Sequence, residues 1–162
     1  MKNKDITEKD VHDFWNDRAA LGLNAGSNDV TGKQVEIEAI ASYVKDGMRI
    51  LDFGCGSGET ALELAKRFDI DITGIDYAEK MINAAQKLAS ELTSSLGRSY
   101  FQVGDVSSLA SIKERFDMIY SERAIINMKS WDEQRDAIVT LTGLLAPGFQ
   151  KEKGKTHRMM LR

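Results

Sequence analysis

The feature that most constrains this chain is a run of alternating glycines, Gly54-Cys55-Gly56-Ser57-Gly58, set between an apolar stretch and a helical pattern. The stretch MRILDF (48–53) reads as a short buried strand, and GETALELAKRF (58–68) has the period of an amphipathic helix. Three glycines in five residues remove side chains where the backbone must turn sharply and where a ligand must touch main chain. The helix that follows offers unpaired N–H groups at its start, which favour an anionic or electron-rich partner.

The same alternation continues downstream. IDITGID (70–76) reads as a strand and AEKMINAAQKLASEL (78–92) as a helix, with Met81, Ile82, Ala85, Leu88, Ala89 and Leu92 facing inward. SYFQVGD (99–105) and FDMIYSE (116–122) are two further strands, and a last helix covers about Trp131 to Leu145, ended by Pro147 and Gly148. Strands alternating with helices imply a parallel sheet with helices on its faces. Its ligand is then expected at the carboxyl ends of the strands, near the point where strand order reverses. Ahead of this block, residues 5–20 suit a short helix, LGLNAGSNDVTG (21–32) reads as a loop, and a second helix is expected from about Lys33 to Val44.

Composition narrows the function classes. The chain has 162 residues, room for one domain and little more. Its net charge is −3, but the last 14 residues hold five Lys or Arg against one Glu, which leaves an acidic body. An acidic body argues against broad nucleic-acid binding. No apolar run approaches a membrane span, and MKNKDITEKD has no signal-peptide core. The single cysteine allows no intrachain disulfide and fits a reducing, cytoplasmic setting; two histidines far apart give no zinc pattern, so no metal is expected.

Two nucleotide-type readings compete for the glycine run. In the dinucleotide fingerprint G-x-G-x-x-G, counted from Gly54, the third glycine would fall on Glu59, and it does not. A phosphate-binding P-loop would need Gly-Lys-Ser/Thr, which is absent from the run. Alternate glycines preceded by Asp52 instead resemble motif I of the class I S-adenosylmethionine-dependent methyltransferases, and the resemblance spans roughly residues 35 to 148. It implies an α/β, Rossmann-like three-layer sandwich with a mostly parallel sheet, S-adenosylmethionine as cofactor, and in-line methyl transfer; the acidic body and small size favour a small-molecule acceptor over nucleic acid.

Residue by residue, the resemblance assigns the cofactor to Asp52, Gly54, Cys55, Gly56 and Gly58. Asp76, with Tyr77 beside it, takes the ribose hydroxyls, a task suited to a carboxylate that accepts two bonds from a vicinal diol. Asp105 and Val106 take the adenine. The segment FDMIYSERAIINMKSWDEQ resembles the motif facing the transferred methyl group; it brings Ser121 to the cofactor, Glu122 as the one candidate base, and Arg123 and Asn127 to the substrate side. Trp15 and Arg18 are candidates for a cover over the cofactor. Each has a plainer alternative: Asp52 as a turn cap, Asp105 as a helix N-cap, Glu122 and Arg123 as a surface ion pair, Trp15 and Arg18 as helix packing.

The chain departs from the family pattern at its end. The resemblance implies strand order 3-2-1-4-5-7-6, yet FQKEKGKTHRMMLR follows Pro147-Gly148, with only Arg158 to Leu161 able to serve as a stub of strand. The expected organisation is therefore an N-terminal helical cap (1–47), a cofactor-binding core (48–148) truncated after its fourth strand, and a basic tail (149–162) outside that core. An open edge on the fourth strand would favour self-association. Three function classes follow: an active methyltransferase, a cofactor-binding module without catalysis, and a nicotinamide-type dinucleotide enzyme that the glycine spacing disfavours.

Overall fold

Strands and helices alternate from residue 49 onward, as the periodicities require. The structure is a computed structural model and describes residues 7–20, 29–147 and 159–161. Helices α1 (Glu8–Arg18) and α2 (Val30–Ala41) precede the sheet. Then come β1 (Arg49–Phe53), α3 (Glu59–Arg67), β2 (Asp71–Asp76), α4 (Glu79–Glu91), β3 (Arg98–Val103) and the short α5 (Val106–Leu109). The chain continues through β4 (Met118–Ser121), a 3-10 turn at Ile125–Asn127, α6 (Trp131–Gly143) and β5 (Met159–Leu161).

Helix α2 begins three residues earlier than its apolar period suggests. Asp29 is its N-cap, accepting from the Gly32 backbone N–H at 2.8 Å, so Thr31 and Gly32 are helical rather than loop. Helix α1 is closed by a capping box in which Thr7 and Asp10 satisfy each other's backbone N–H groups.

All strand pairs are parallel, and the order is β3-β2-β1-β4-β5. The chain runs outward from β1 through β2 to β3, then returns to add β4 on the other side of β1, so strand order reverses between β1 and β4. One face of the sheet, carrying Ile50, Ile72 and Tyr120, packs on α2, α3 and α4. The opposite face, carrying Leu51, Phe53, Ile75 and Ile119, packs on α5, α6 and the 3-10 turn. Strands β1 and β4 are buried on both faces, and their side chains are apolar apart from Arg49 and Asp52 on β1 and the Tyr120 hydroxyl and Ser121 on β4.

The far side of β4 departs from expectation. Three residues of the tail form β5 and pair with β4 in the register Ile119↔Met159, Tyr120↔Met160 and Ser121↔Leu161. The edge expected to stand open is therefore covered over those three positions, and the tail is not wholly outside the sheet. Past the lysine-rich stretch, Met-Met-Leu is short and uncharged enough to pair there. The remaining residues of the tail, 149–158 and 162, lie outside those described, as does Gly148. Among the described residues no helix is long and apolar enough to cross a membrane.

An acidic side chain sits in the middle of this core. Asp52 on β1 is 2% exposed and accepts the Tyr120 hydroxyl at 2.9 Å from the neighbouring strand, while its other oxygen has no hydrogen-bond partner. It is thus not a turn cap. Burial, with the negative charge of Glu122 adding to it, pushes its carboxyl up to about 8, against the pull of the Tyr120 hydrogen bond. A neutral acid accounts for a lone oxygen in an apolar setting, where a charge would be costly.

Because the folded carboxyl holds its proton to higher pH than the unfolded one, its stabilising contribution is complete below about pH 4. It declines as pH rises and is lost through about 8. Asp52→Asn keeps an acceptor for Tyr120 and removes the titration. Chemical denaturation between pH 5 and 9 should therefore show stability falling less steeply in the variant, by up to about 1.4 kcal/mol per pH unit. Parallel curves for the two proteins would mean that Asp52 titrates normally.

Candidate functional site

Three glycines in the left-handed region turn the chain from β1 into α3: Gly54 (φ 81°), Gly56 (φ 53°) and Gly58 (φ 78°). At Gly54 the conformation is matched by a steric demand, since a Cβ there would stand 2.2 Å from the Ala124 Cβ. The loop is drawn toward the end of β2: the Gly54 and Cys55 N–H groups donate to the Ile75 carbonyl at 2.7 and 3.1 Å. The Gly56 N–H donates to Asp76 Oδ2 at 2.9 Å, and Asp76 Oδ1 accepts from the Ala78 N–H at 2.9 Å.

The loop and the strand ends open onto a cleft of about 690 Å³. Its walls come from the loop (Gly54 to Ser57), the end of β2 (Ile75, Asp76, Tyr77), the end of β3 (Gly104 to Ser107) and the exit of β4 (Glu122 to Ala124, Asn127 to Lys129). Phe53 of β1, Glu59 of α3, Met81 of α4, Val11, His12 and Trp15 of α1, Lys33 of α2 and Glu133 and Asp136 of α6 complete it.

Of the residues expected from the sequence, Gly54, Cys55, Gly56, Asp76, Tyr77, Asp105, Val106, Glu122, Arg123, Asn127 and Trp15 line this cleft. Asp52, Gly58, Ser121 and Arg18 are not among its walls. Asp52 and Ser121 are sealed beneath it at 2% exposure each, and the Ser121 Oγ has no hydrogen-bond partner. Gly58 packs under Phe101, 2.8 Å from where its Cβ would lie. The Arg18 guanidinium stands 5.6 Å from the centre of the Phe14 ring.

Electrostatics divide the acidic residues by task. Asp76 is half-buried, and burial raises its carboxyl against the two backbone N–H bonds that lower it. Asp105 is exposed and caps α5, its Oδ1 accepting from the Ser107 hydroxyl and the Ser108 N–H; those bonds hold it below the usual carboxylate range. Glu122 is engaged on both oxygens, with Lys33 Nζ 3.2 Å from Oε2 and 3.3 Å from Oε1 and the Thr60 hydroxyl donating to Oε2 at 2.7 Å. The next residue, Arg123, donates to both oxygens of Glu36 at 2.7 and 2.8 Å. The anticipated Glu122–Arg123 pairing is thus replaced by two pairings to α2. Asn127 donates its amide to the Arg123 carbonyl at 2.6 Å. Burial pushes the Cys55 thiol well above its ordinary range, which disfavours a nucleophilic role.

Helix α1 supplies Val11, His12 and Trp15 to the cleft walls. Trp15 packs with Ala19 on Ala78 and Met81, and the His12 ring lies 5.7 Å from that of Tyr77. Asn16 Oδ1 accepts from the Lys80 N–H at 3.1 Å, capping α4, whose own N-cap residue, Ala78, has no side chain for the task. Lys33, Glu36, Thr60 and His12 were not anticipated. The α2 pair looks like an ordinary solvated Lys-x-x-Glu, and nothing in it points 87 to 89 residues ahead. Among the described residues no group of three or more His, Cys, Asp or Glu is placed to hold a metal.

Comparison with known proteins agrees with this geometry. A family model described as a methyltransferase domain matches residues 50–148, more than half the chain. An O-methyltransferase of Pyrenophora dematioidea is 34% identical over 102 residues, covering 63% of this chain and 37% of that protein. The 27-O-demethylrifamycin SV methyltransferase of Amycolatopsis mediterranei is 29% identical over 140 residues, covering 85% of this chain and 49% of that one. The chain therefore spans less than half the length of either relative. Among solved structures, magnesium protoporphyrin IX methyltransferase from Synechocystis with bound S-adenosylhomocysteine superposes with a TM-score of 0.69 at 23% identity, over 86% of this chain and 68% of that one. At that identity the likeness speaks for the fold. The family match, the strand order and the glycine loop together make the chain a member of the class I S-adenosylmethionine-dependent methyltransferases.

Proposed function

We propose that this chain binds S-adenosylmethionine in the cleft and serves methyl transfer to an oxygen of a small-molecule acceptor. The observation that carries the reading is the closure of the glycine loop on Asp76, with Gly56 N–H donating to its Oδ2 over an open cleft. The residues fit such a cofactor. A carboxylate has about four acceptor sites; backbone N–H groups take two at Asp76, leaving two for a vicinal diol. A Cβ at Gly56 would meet nothing within 4 Å, so the backbone there is bare toward the cleft. The bound cofactor supplies the activated methyl group.

The protein's part is binding, alignment and exclusion of water. Asp76 holds the ribose, Tyr77 flanks it, and Asp105 with Val106 borders the adenine end. Trp15 covers the cleft from α1. Arg123, Asn127 and Met128 form the acceptor wall. Glu122 serves there as the partner of Lys33 rather than as the base, because both its oxygens already accept hydrogen bonds. The oxygen acceptor draws support from the relative of Pyrenophora, which is an O-methyltransferase. The dinucleotide and non-catalytic alternatives find no support in the family match.

Calorimetric titration with S-adenosylmethionine, S-adenosylhomocysteine and NAD tests the reading; binding of NAD alone would end it. Asp76→Ala should weaken S-adenosylhomocysteine binding by more than about tenfold, since a hydrogen bond to a charged group contributes about 1.5–3 kcal/mol. Equal affinity in the variant would remove the ribose assignment. Gly56→Val should abolish binding with the far-ultraviolet spectrum little changed, because a branched side chain would occupy ligand space at a left-handed position. Normal binding by that variant would mean that no ligand approaches this backbone.

A further inference from the structure

We infer that Lys33 and Glu36 of α2, with Glu122 and Arg123 after β4, form a crossed charge clamp that positions the glycine loop through Ala124. The inference rests on the cofactor reading above for its consequence and on geometry for its substance.

The clamp has two arms. Lys33 holds Glu122 at 3.2 Å, their side chains 20% and 12% exposed. Glu36 holds Arg123 at 2.7 and 2.8 Å through one guanidinium nitrogen, with Glu36 16% exposed. The Lys33–Glu122 arm is shielded on both sides, whereas in the second arm Glu36 is shielded and Arg123 is 37% exposed, so the first arm stands further apart from solvent-exposed pairs, which contribute little. The charges run plus then minus along α2 and minus then plus along the β4 exit. Exchanging the partners would set Lys33 against Arg123 and Glu36 against Glu122, like facing like. The arrangement therefore fixes how α2 sits against this segment.

What it fixes is a strained turn. Arg123 has φ 64°, the one positive φ outside glycine among the described residues. An L-residue avoids that region unless its surroundings hold it there. The next residue, Ala124, is delivered onto Gly54, its Cβ occupying the space where a Gly54 Cβ would stand. Gly54 in turn begins the loop bonded to Ile75 and Asp76. An unbroken line of contacts thus runs from α2 to the loop. Glu36 itself is not among the cleft walls, which makes it a positioning residue rather than a ligand.

Cys55 gives a readout that needs no ligand. It is the chain's sole cysteine, half-buried between Gly54 and Gly56. In Glu36→Gln, the native protein should react with a thiol reagent roughly fivefold faster and bind S-adenosylhomocysteine roughly fivefold more weakly. Arg123→Gln should do the same, and the double variant should be no worse than the worse single one, since the two act as a unit. Ala124→Gly removes only the methyl over Gly54, leaves both ion pairs, and should accelerate labelling equally, which tests the last link of the line; Arg123→Gln tests the ion pair if Glu36→Gln does not fold. Glu63→Gln, which breaks pairs to Lys66 and Arg67 on the surface of α3, should label as the wild type does. Unchanged Cys55 labelling in folded Glu36→Gln or Ala124→Gly, or additive effects in the double variant, would overturn the clamp. Wild-type protein that binds no S-adenosylhomocysteine would instead defeat the cofactor reading, with labelling still deciding the clamp.

Discussion

Three backbone N–H groups of the glycine loop, those of Gly54, Cys55 and Gly56, are held by the last two residues of β2. Without them the loop would have no fixed height above the strand ends, because nothing else bonds its turn to the sheet from that side. With them, β1 and β2 present a continuous floor of main chain, and every wall of the cleft is placed relative to it. The constraint reaches into the packing below. Phe101 fills the space that side chains at Gly58 and Gly74 would need, so β3 can lie close only because both positions are bare. A loop that serves a ligand and a sheet that needs close packing have the same glycines in common.

The fold was readable from the sequence because its signals are local. Buried strands such as 48–53 and the amphipathic period of 78–92 name their elements without help, and parallel order follows from alternation. Two features were misread for physical reasons. The start of α2 was hidden because Gly32 stands in its first turn and has a low helix propensity, which masks the N-cap signal that Asp29 carries. The fifth strand was underestimated because three apolar residues after a lysine-rich stretch carry too little pattern to declare a partner.

The site divides in the same way. Residues that meet the cleft through the backbone, such as Gly56, or at a strand end, such as Asp76, were legible from their position after a strand. Residues that act through distant partners were not. Asp52 was expected beside the ligand and instead lies beneath the floor as a buried acid bonded to Tyr120 across the sheet. Glu122 and Arg123 were adjacent opposite charges, which in a sequence look like partners of each other. Only the approach of α2 reveals that each has another partner, and that approach is a long-range fact.

The cap that Asn16 supplies to α4 has a consequence for how the chain acquires its shape. Helix α4 has alanine at its N-cap and no side-chain cap of its own, so the Lys80 N–H is satisfied by a residue 64 positions earlier. A helix lacking a local cap is a weaker autonomous folder. Its first turn becomes secure only when α1 has docked. During synthesis α1 emerges before α4 and must wait for it to arrive before Trp15 has Met81 to cover. A segment made before the sheet is therefore fastened only after β1, α3 and β2 have been added, so this edge of the molecule depends on a contact of high sequence separation rather than on its local helices.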